Sequence, residues 1–348
     1  MDEIEPDEST LSIRDAHLQH RPADTSSIGH ELDEVRAFLA LSTVRGVGQK
    51  TLFALAEKGR SFREAVDNGP DETIPRAPGD DKLVNDRRWS AMRLQAIAQG
   101  DRLAERLEAL GVALLFRHSP GFPPCLLELE RPPHWLFVQG SINRLSEPSI
   151  AIVGTRKPST DGHFLVHYIG ACLAEWGAPT VSGLAAGIDQ LAHEHSLRAG
   201  VPTIAVLGTG VLEDYPKGSG RMRDHILATG GTIVSEYLPT TSYSANNFVQ
   251  RNRLQAALGR ILIPAEWQRR SGTAHTVRFA TALRRPIACL RLPDWPSNRV
   301  AFEPGLGLPG GEIFTVPREQ LRFDRFVRAA IGMRLPAQPG QLSLFEDH

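Results

Sequence analysis

The chain is expected to fold as an α/β protein: a mostly parallel sheet with helices on both faces, preceded by a small helical domain. Three observations carry this expectation. Eight short apolar runs recur between residues 112 and 290. Stretches with helical spacing separate them, and glycines follow several of the runs directly.

Residues 1–30 have no hydrophobic periodicity and hold many acids, so a disordered acidic leader is expected. From residue 31 the pattern turns helical, with Val35, Phe38, Leu39 and Leu41 spaced for one buried face. The run breaks at Gly46-Val47-Gly48 and resumes at Thr51-Leu52-Phe53-Ala54-Leu55. Two helices joined by such a turn resemble a helix-hairpin-helix unit, in which glycines let backbone N–H groups approach a phosphate. The same turn also serves as a plain helix connector. Residues 68–86 are rich in Pro, Gly and Asp and read as a loop, after which residues 88–110 are again helical. Residues 31–108 are therefore taken as a helical domain of SAM or helix-hairpin-helix type.

The apolar runs occupy 112–116, 135–138, 150–153, 179–181, 203–207, 232–235, 261–263 and 287–290. Helices are expected at 161–176, 188–199, 219–229, 250–258 and 273–284. Strands apolar on both faces and alternating with helices make a parallel sheet covered on both sides. That domain spans 109–315, and residues 316–348 are read as a C-terminal helix and tail. Ligands bind such sheets beyond the carboxyl ends of the strands.

Charge is unevenly distributed although the net value is −1. Residues 1–34 hold ten acids against two arginines, net −8, while 245–300 hold ten arginines against two acids, net +8. Arginine without lysine suits planar contact with phosphate or stacking on bases, although a solvated helix face has the same composition. No stretch approaches a membrane span, and the acidic start (Asp2, Glu3, Glu5, Asp7, Glu8) is the wrong charge for a secretory signal. Three cysteines without a C-x-x-C pair point to a reducing cytoplasm, with neither disulfide framework nor zinc site. His193 and His195 are two apart on a helix, so they face different sides and do not share a metal.

The strand-end loops carry the chemistry. After the run 150–153 comes Gly154-Thr155-Arg156-Lys157-Pro158-Ser159, which combines close backbone approach, hydroxyls and positive charge beside a helix N-terminus and so suits an anion. Ser182-Gly183-Leu184-Ala185-Ala186-Gly187-Ile188-Asp189 and Gly208-Thr209-Gly210 end the next two strands. The G-x-G-x-x-G fingerprint and the P-loop are both absent, which argues against NAD, FAD and ATP as cofactors and against an ATP-driven motor. No nucleophile elbow occurs, and no cysteine has an evident nucleophile setting.

In order, these loops resemble the core motifs of the DNA processing protein A family (DprA, also called Smf). The likeness runs through Val153-Gly154-Thr155-Arg156, Val181 to Asp189 with Ala192-His193, Thr203 to Gly210, Tyr215-Pro216 and Ser235-Glu236. It continues in Phe248-Val249-Gln250-Arg251-Asn252-Arg253, and it begins upstream with Phe122-Pro123-Pro124, Pro132-Pro133 and Leu136 to Gly140. The resemblance implies a Rossmann-like domain that binds single-stranded DNA, helps load RecA recombinase, forms dimers and has no catalytic residues. Carried over, the DNA-binding positions are Gly154, Thr155, Arg156, Ser182, Gly183, Phe248, Arg251, Asn252 and Arg253, and charge adds Lys157. Arg156, Arg251 and Arg253 would pair with phosphates. Phe248 would stack on a base, or else be a core aromatic. For Asp189 a structural helix-start role is expected.

The sequence departs from the family after 263, where Pro264-Ala265-Glu266-Trp267 and Ser271-Gly272-Thr273-Ala274-His275-Thr276 replace Val-Glu-Ala and Ser-Gly-Ser-Leu-Ile-Thr-Ala. No winged-helix pattern follows, so a divergent member is expected. The alternative is a nucleotide-ligand sensor or a defence-related binding module on the same fold. Related phosphoribohydrolases carry P-G-G-x-G-T-x-x-E, whereas Pro309-Gly310-Gly311-Glu312 lacks the Gly-Thr and the spaced glutamate and is expected outside the sheet. Gln341-Leu342-Ser343-Leu344-Phe345, after a Pro/Gly-rich linker, matches the short peptide with which many bacterial DNA enzymes dock on the β sliding clamp. In that reading Gln341, Leu342, Leu344 and Phe345 are the anchors. A tail folding back on its own domain is the other reading.

Overall fold

A computed structural model describes residues 25–69, 82–296 and 310–333. Residues 1–24 of the acidic leader, most of the 68–86 loop and the tail motif 341–345 lie outside the described residues, while residues 25–30, expected to be disordered, are helical.

Among the described residues four helices come first: α1 (Thr25–Thr43), α2 (Gln49–Glu57), α3 (Phe62–Asn68) and α4 (Lys82–Ala109). α1 starts ahead of position 31, where the sequence first shows periodicity. α3 begins where Ser61 accepts from the Glu64 N–H and the Glu34 carboxylate accepts from the Phe62 N–H at 2.8 Å, which satisfies donors that a helix start leaves open. Phe38 on α1 is fully buried, its ring 5.0 Å from Phe62 and 4.8 Å from Trp135 of the sheet. The helical unit thus shares one core with the sheet rather than resting on its surface.

Among the described residues the sheet has nine strands, in the order β1-β2-β6-β5-β4-β3-β7-β8-β9. These are β1 (Val112–Phe116), β2 (Trp135–Gly140), β3 (Ser149–Val153), β4 (Thr180–Ser182), β5 (Thr203–Val206), β6 (Thr232–Ser235), β7 (Gly259–Pro264), β8 (Ile287–Arg291) and β9 (Gly311–Thr315). From β6 through to β9 all neighbours are parallel. β2 instead runs antiparallel to both β1 and β6. A short 3₁₀ helix (Pro124–Glu128) lies between β1 and β2, and an antiparallel pair needs no longer crossover. Gly311 and Glu312 lie inside β9, which corrects the expectation that this segment is outside the sheet. β9 escapes a sequence reading because Phe314 is its one buried residue.

Side-chain alternation sorts the two faces. Ile150 and Ile152 of β3 pack with α5 (Thr160–Trp176), α6 (Ile188–Arg198) and α10 (Gln320–Ala330), whereas Ala151 and Val153 face α8 (Ala245–Leu258) and α9 (Gly272–Ala282). From β3 the chain steps through β4 and β5 to β6, the last step passing α7 (Gly220–Ala228), and α8 then returns it to the other side of β3 as β7. The order reverses between β3 and β7, which opens a crevice at the carboxyl ends of the strands.

Candidate nucleic-acid interface

The loop after β3 is built by backbone bonds. The Thr155 N–H donates to the Glu266 carbonyl at 2.7 Å, and the Thr155 carbonyl accepts from the Ile188 N–H at 3.1 Å. Gly187 holds φ at 86°, and a Cβ there would lie 2.5 Å from the Thr155 oxygen, so only glycine lets the two loops cross. Gly154 and Thr155 therefore shape the turn, while Arg156 and Lys157 point into solvent.

The helix N-terminus expected to hold an anion is taken from within. Ser159 caps α5, and its N–H and hydroxyl donate to the Glu266 carboxylate at 2.9 and 2.7 Å. A carboxylate fits the positive end of α5 for the reason a phosphate would. This corrects the sequence reading of that spot as a free anion site. The departure from the family after residue 263 includes this side chain.

At the end of β4, the buried Ser182 hydroxyl donates to the Ile152 carbonyl at 2.6 Å. Leu184 next to it has φ of 59°, a conformation that costs a β-carbon-bearing residue energy and is held by complete burial of its side chain. The turn aims the Gly183 carbonyl at Arg251, whose Nη1 donates to it at 2.8 Å and also to the Val206 carbonyl. A side chain at Gly183 would overlap both the Arg251 guanidinium and the Asp189 carboxylate. Burial pushes the Asp189 carboxyl up, and Arg251 beside it pulls back. The same burial lowers Arg251 to about 10, which leaves it charged at neutral pH. Asp189 is thus Arg251's counter-charge as well as a first-turn residue of α6.

α8 begins at Ala245, five residues before the expected start, so Phe248, Arg251 and Asn252 fall on one helical face. Phe248 is 7% exposed, over Gly208, with Tyr215 at 5.1 Å and Tyr243 at 5.3 Å between ring centroids. Two guanidiniums address its ring, Arg156 at 5.5 Å and Arg251 at 5.4 Å from the centroid. Of the two readings of Phe248, the buried aromatic is the one seen. Tyr243, 49% exposed, is the open ring of this cluster. It is an aromatic in the polar run Thr241-Ser242-Tyr243-Ser244 just before a helix, a signal the sequence reading passed over.

The remaining positions flank this centre. Asn252 donates from Nδ2 to the Gly272 carbonyl at 3.1 Å and so fixes the start of α9. Arg253 pairs with Glu236, their side chains 12% and 3% exposed. Burial raises the Glu236 carboxyl, and Arg253 opposes that shift. Arg285 also turns inward, donating to the Ala257 carbonyl and Glu128. Arg251, Arg253 and Arg285 thus brace the fold, and the basic stretch is not one phosphate-facing stripe. The expectation of free phosphate-pairing guanidiniums at 251 and 253 is corrected: the strand-end carbonyls and Glu236 already engage them. Among the ten expected DNA-binding positions, Arg156 and Lys157 are the exposed ones.

A family model described as DNA recombination-mediator protein A matches residues 113–301. Protein Smf of Synechocystis sp. is 36% identical over 187 residues, 53% of this chain and 46% of its own length. The DNA processing protein DprA of Streptococcus pneumoniae is 39% identical over 166 residues, 48% of this chain and 58% of its own. The chain thus spans about half the length of these relatives. The crystal structure of DprA from Streptococcus pneumoniae superposes with a TM-score of 0.56 at 26% identity, covering 84% of this chain and 96% of that one. DNA processing protein A from Helicobacter pylori, whose structure concerns its single-stranded DNA binding mode, shares the fold with a TM-score of 0.50 at 24% identity, covering 64% of this chain and 96% of that one. The matched segment takes in more than half of the sequence and contains the whole strand-end cluster, and the chain belongs to the DNA recombination-mediator protein A family.

Proposed function

We propose that the chain binds single-stranded DNA at the carboxyl ends of β3, β4 and β5 and acts as a recombination mediator. One observation carries the reading: the exposed Arg156 guanidinium lies 5.5 Å from the centroid of the Phe248 ring, at the edge of a three-ring cluster. A cation held against the buried Phe248, with the open Tyr243 ring packed on that same phenylalanine, suits the repeating phosphate and base of a single strand. Lys157 adds charge on the same loop, and Tyr243 offers the stacking face. Gly154, Thr155, Ser182, Gly183, Phe248, Arg251, Asn252 and Arg253 act by holding that surface in place.

The reading is of a binding protein rather than an enzyme. Burial pushes the Cys172 thiol up to about 11 and Cys289 to about 12, so both are protonated and poorly nucleophilic at neutral pH. We further propose a cytoplasmic homodimer that hands the bound strand to RecA recombinase and docks on the β sliding clamp through Gln341, Leu342, Leu344 and Phe345.

Binding of labelled oligo-dT across a salt series tests the main reading. Affinity should fall steeply with salt, and Arg156→Ala should make the log–log slope shallower by about 0.7, the share of a single phosphate. Tight binding of a mononucleotide without oligonucleotide binding would favour the sensor instead.

A further inference from the structure

A groove of about 1790 Å³ runs between α2–α3 and the 117–134 segment that joins β1 to β2. Small-molecule sites occupy roughly 300–1,000 Å³, so this groove is sized for a polymer. Its walls are preformed. α1 and α3 share the core of β1 and β2, and Gln49 at the start of α2 donates to the Glu236 carbonyl at the end of β6. The groove and the strand-end site flank the same first turns of α8. α8 turns Phe248 and Arg251 toward the Arg156 loop, while Asn246 and Gln250 of the same turns line the groove.

The lining chemistry is that of a nucleic-acid track. Lys50 and Arg131 are exposed cations on opposite walls. Exposed His118 stacks on Phe116 with ring centroids 5.7 Å apart and an interplanar angle of 7°, and Phe53 meets His134 at 4.9 Å. Side-chain amides can pair with base edges whatever the sequence. Of the carboxylates in the groove, Glu34 is used up in capping α3 and Glu236 by Arg253; Glu57 and Glu130 are exposed, and Glu57 faces the cationic Arg117.

We infer that a single strand held at Arg156 and Tyr243 continues over the N-terminal turn of α8 into this groove, with Lys50 and Arg131 as its phosphate contacts. The inference rests on the proposed single-strand binding. It gives the helical domain a direct part in recognition and lengthens the binding site.

The test uses the full chain and oligo-dT of about 5 and about 16 nucleotides, near the two ends of typical single-strand site sizes. Lys50→Glu with Arg131→Glu should make the salt slope for the long oligonucleotide shallower by about 1.4, two phosphates at about 0.7 each, and leave the short one unaffected. Lys50→Gln with Arg131→Gln should do the same with a smaller loss of affinity, and both pairs should melt like the parent. An unchanged slope for the long oligonucleotide in the charge-reversed protein overturns the inference. If Arg156→Ala weakens both lengths while that slope stays unchanged, the groove fails alone and the strand-end site stands. If the parent binds neither length, both fail.

Discussion

The Glu266 carboxylate sits on Ser159 at the first turn of α5, with 2.9 Å to its N–H and 2.7 Å to its hydroxyl. The side chain from the loop after β7 thereby ties together the two strands between which the sheet order reverses. Ser159→Ala removes the cap of α5 and a hydrogen bond to a charged acceptor, and should cost about 2–3 kcal/mol in urea denaturation. Gly162→Ala should cost less, because the methyl overlaps only the end of the Glu266 side chain, which can swing aside, and alanine favours the helix.

Arg251 lies inside the protein, so replacing it leaves a carboxylate buried. Arg251→Ala should cost about 3–5 kcal/mol at neutral pH, the range for breaking a buried pair. Asp189 already has a raised pKa in the folded state, and loss of Arg251 raises it further. A raised folded-state value favours the protonated form, so the stability deficit should shrink as the pH falls toward the ordinary carboxylate range. Denaturation at about pH 4.5 and about pH 7, near and well above the ordinary carboxylate value of about 4, checks this. A deficit that stays constant or grows on acidification would contradict the assignment.

His193 is fully buried on α6, its Nδ1 2.8 Å from the Thr203 hydroxyl, and burial drops its pKa from 6.5 to about 3. A depressed histidine leaves the folded state neutral, so stability is complete above about 6.5 and is lost as the pH falls through that value toward 3. At 1.36 kcal/mol per unit, the loss by pH 5 is about 2 kcal/mol. His193→Gln should flatten this part of the stability–pH curve while lowering the plateau. The difference between the two curves isolates His193 from the half-buried His195, whose pKa is also lowered by burial.

Tyr243→Ala should weaken single-strand binding by about 1–3 kcal/mol, the contribution of one stacked base, and Tyr243→Phe should restore it. Anisotropy titration with oligo-dT reads both. Equal losses for Ala and Phe would assign the effect to the hydroxyl instead of the ring.

Deleting residues 341–348 should abolish capture by the β sliding clamp without changing oligo-dT affinity. Capture that survives the deletion removes the tail from the interaction.

Much of the architecture was legible because it is encoded locally. Ile150, Ile152 and their alternating partners Ala151 and Val153 write two buried faces into four consecutive residues, and the glycines beyond mark where β3 stops. β9 was not legible, since its pattern buries Phe314 alone. In the site, Gly154, Thr155, Arg156, Ser182, Gly183, Phe248 and Arg251 do converge at the strand ends. Their division of labour was not legible, because an arginine that braces two carbonyls and one that reaches solvent look alike in a sequence.

The sequence by itself determined the alternation of strands and helices, the glycine turns at the strand ends and the family to which they belong. These depend on side-chain period and backbone freedom within a few residues. Only the tertiary structure decided that Arg251 points inward to Gly183 and Val206, that Glu266 fills the α5 terminus, and that the open ring is Tyr243. Each depends on which distant segment supplies a partner for a long polar or aromatic side chain. That choice is set by strand order, which places β7 against β3 and brings residue 266 to residue 159.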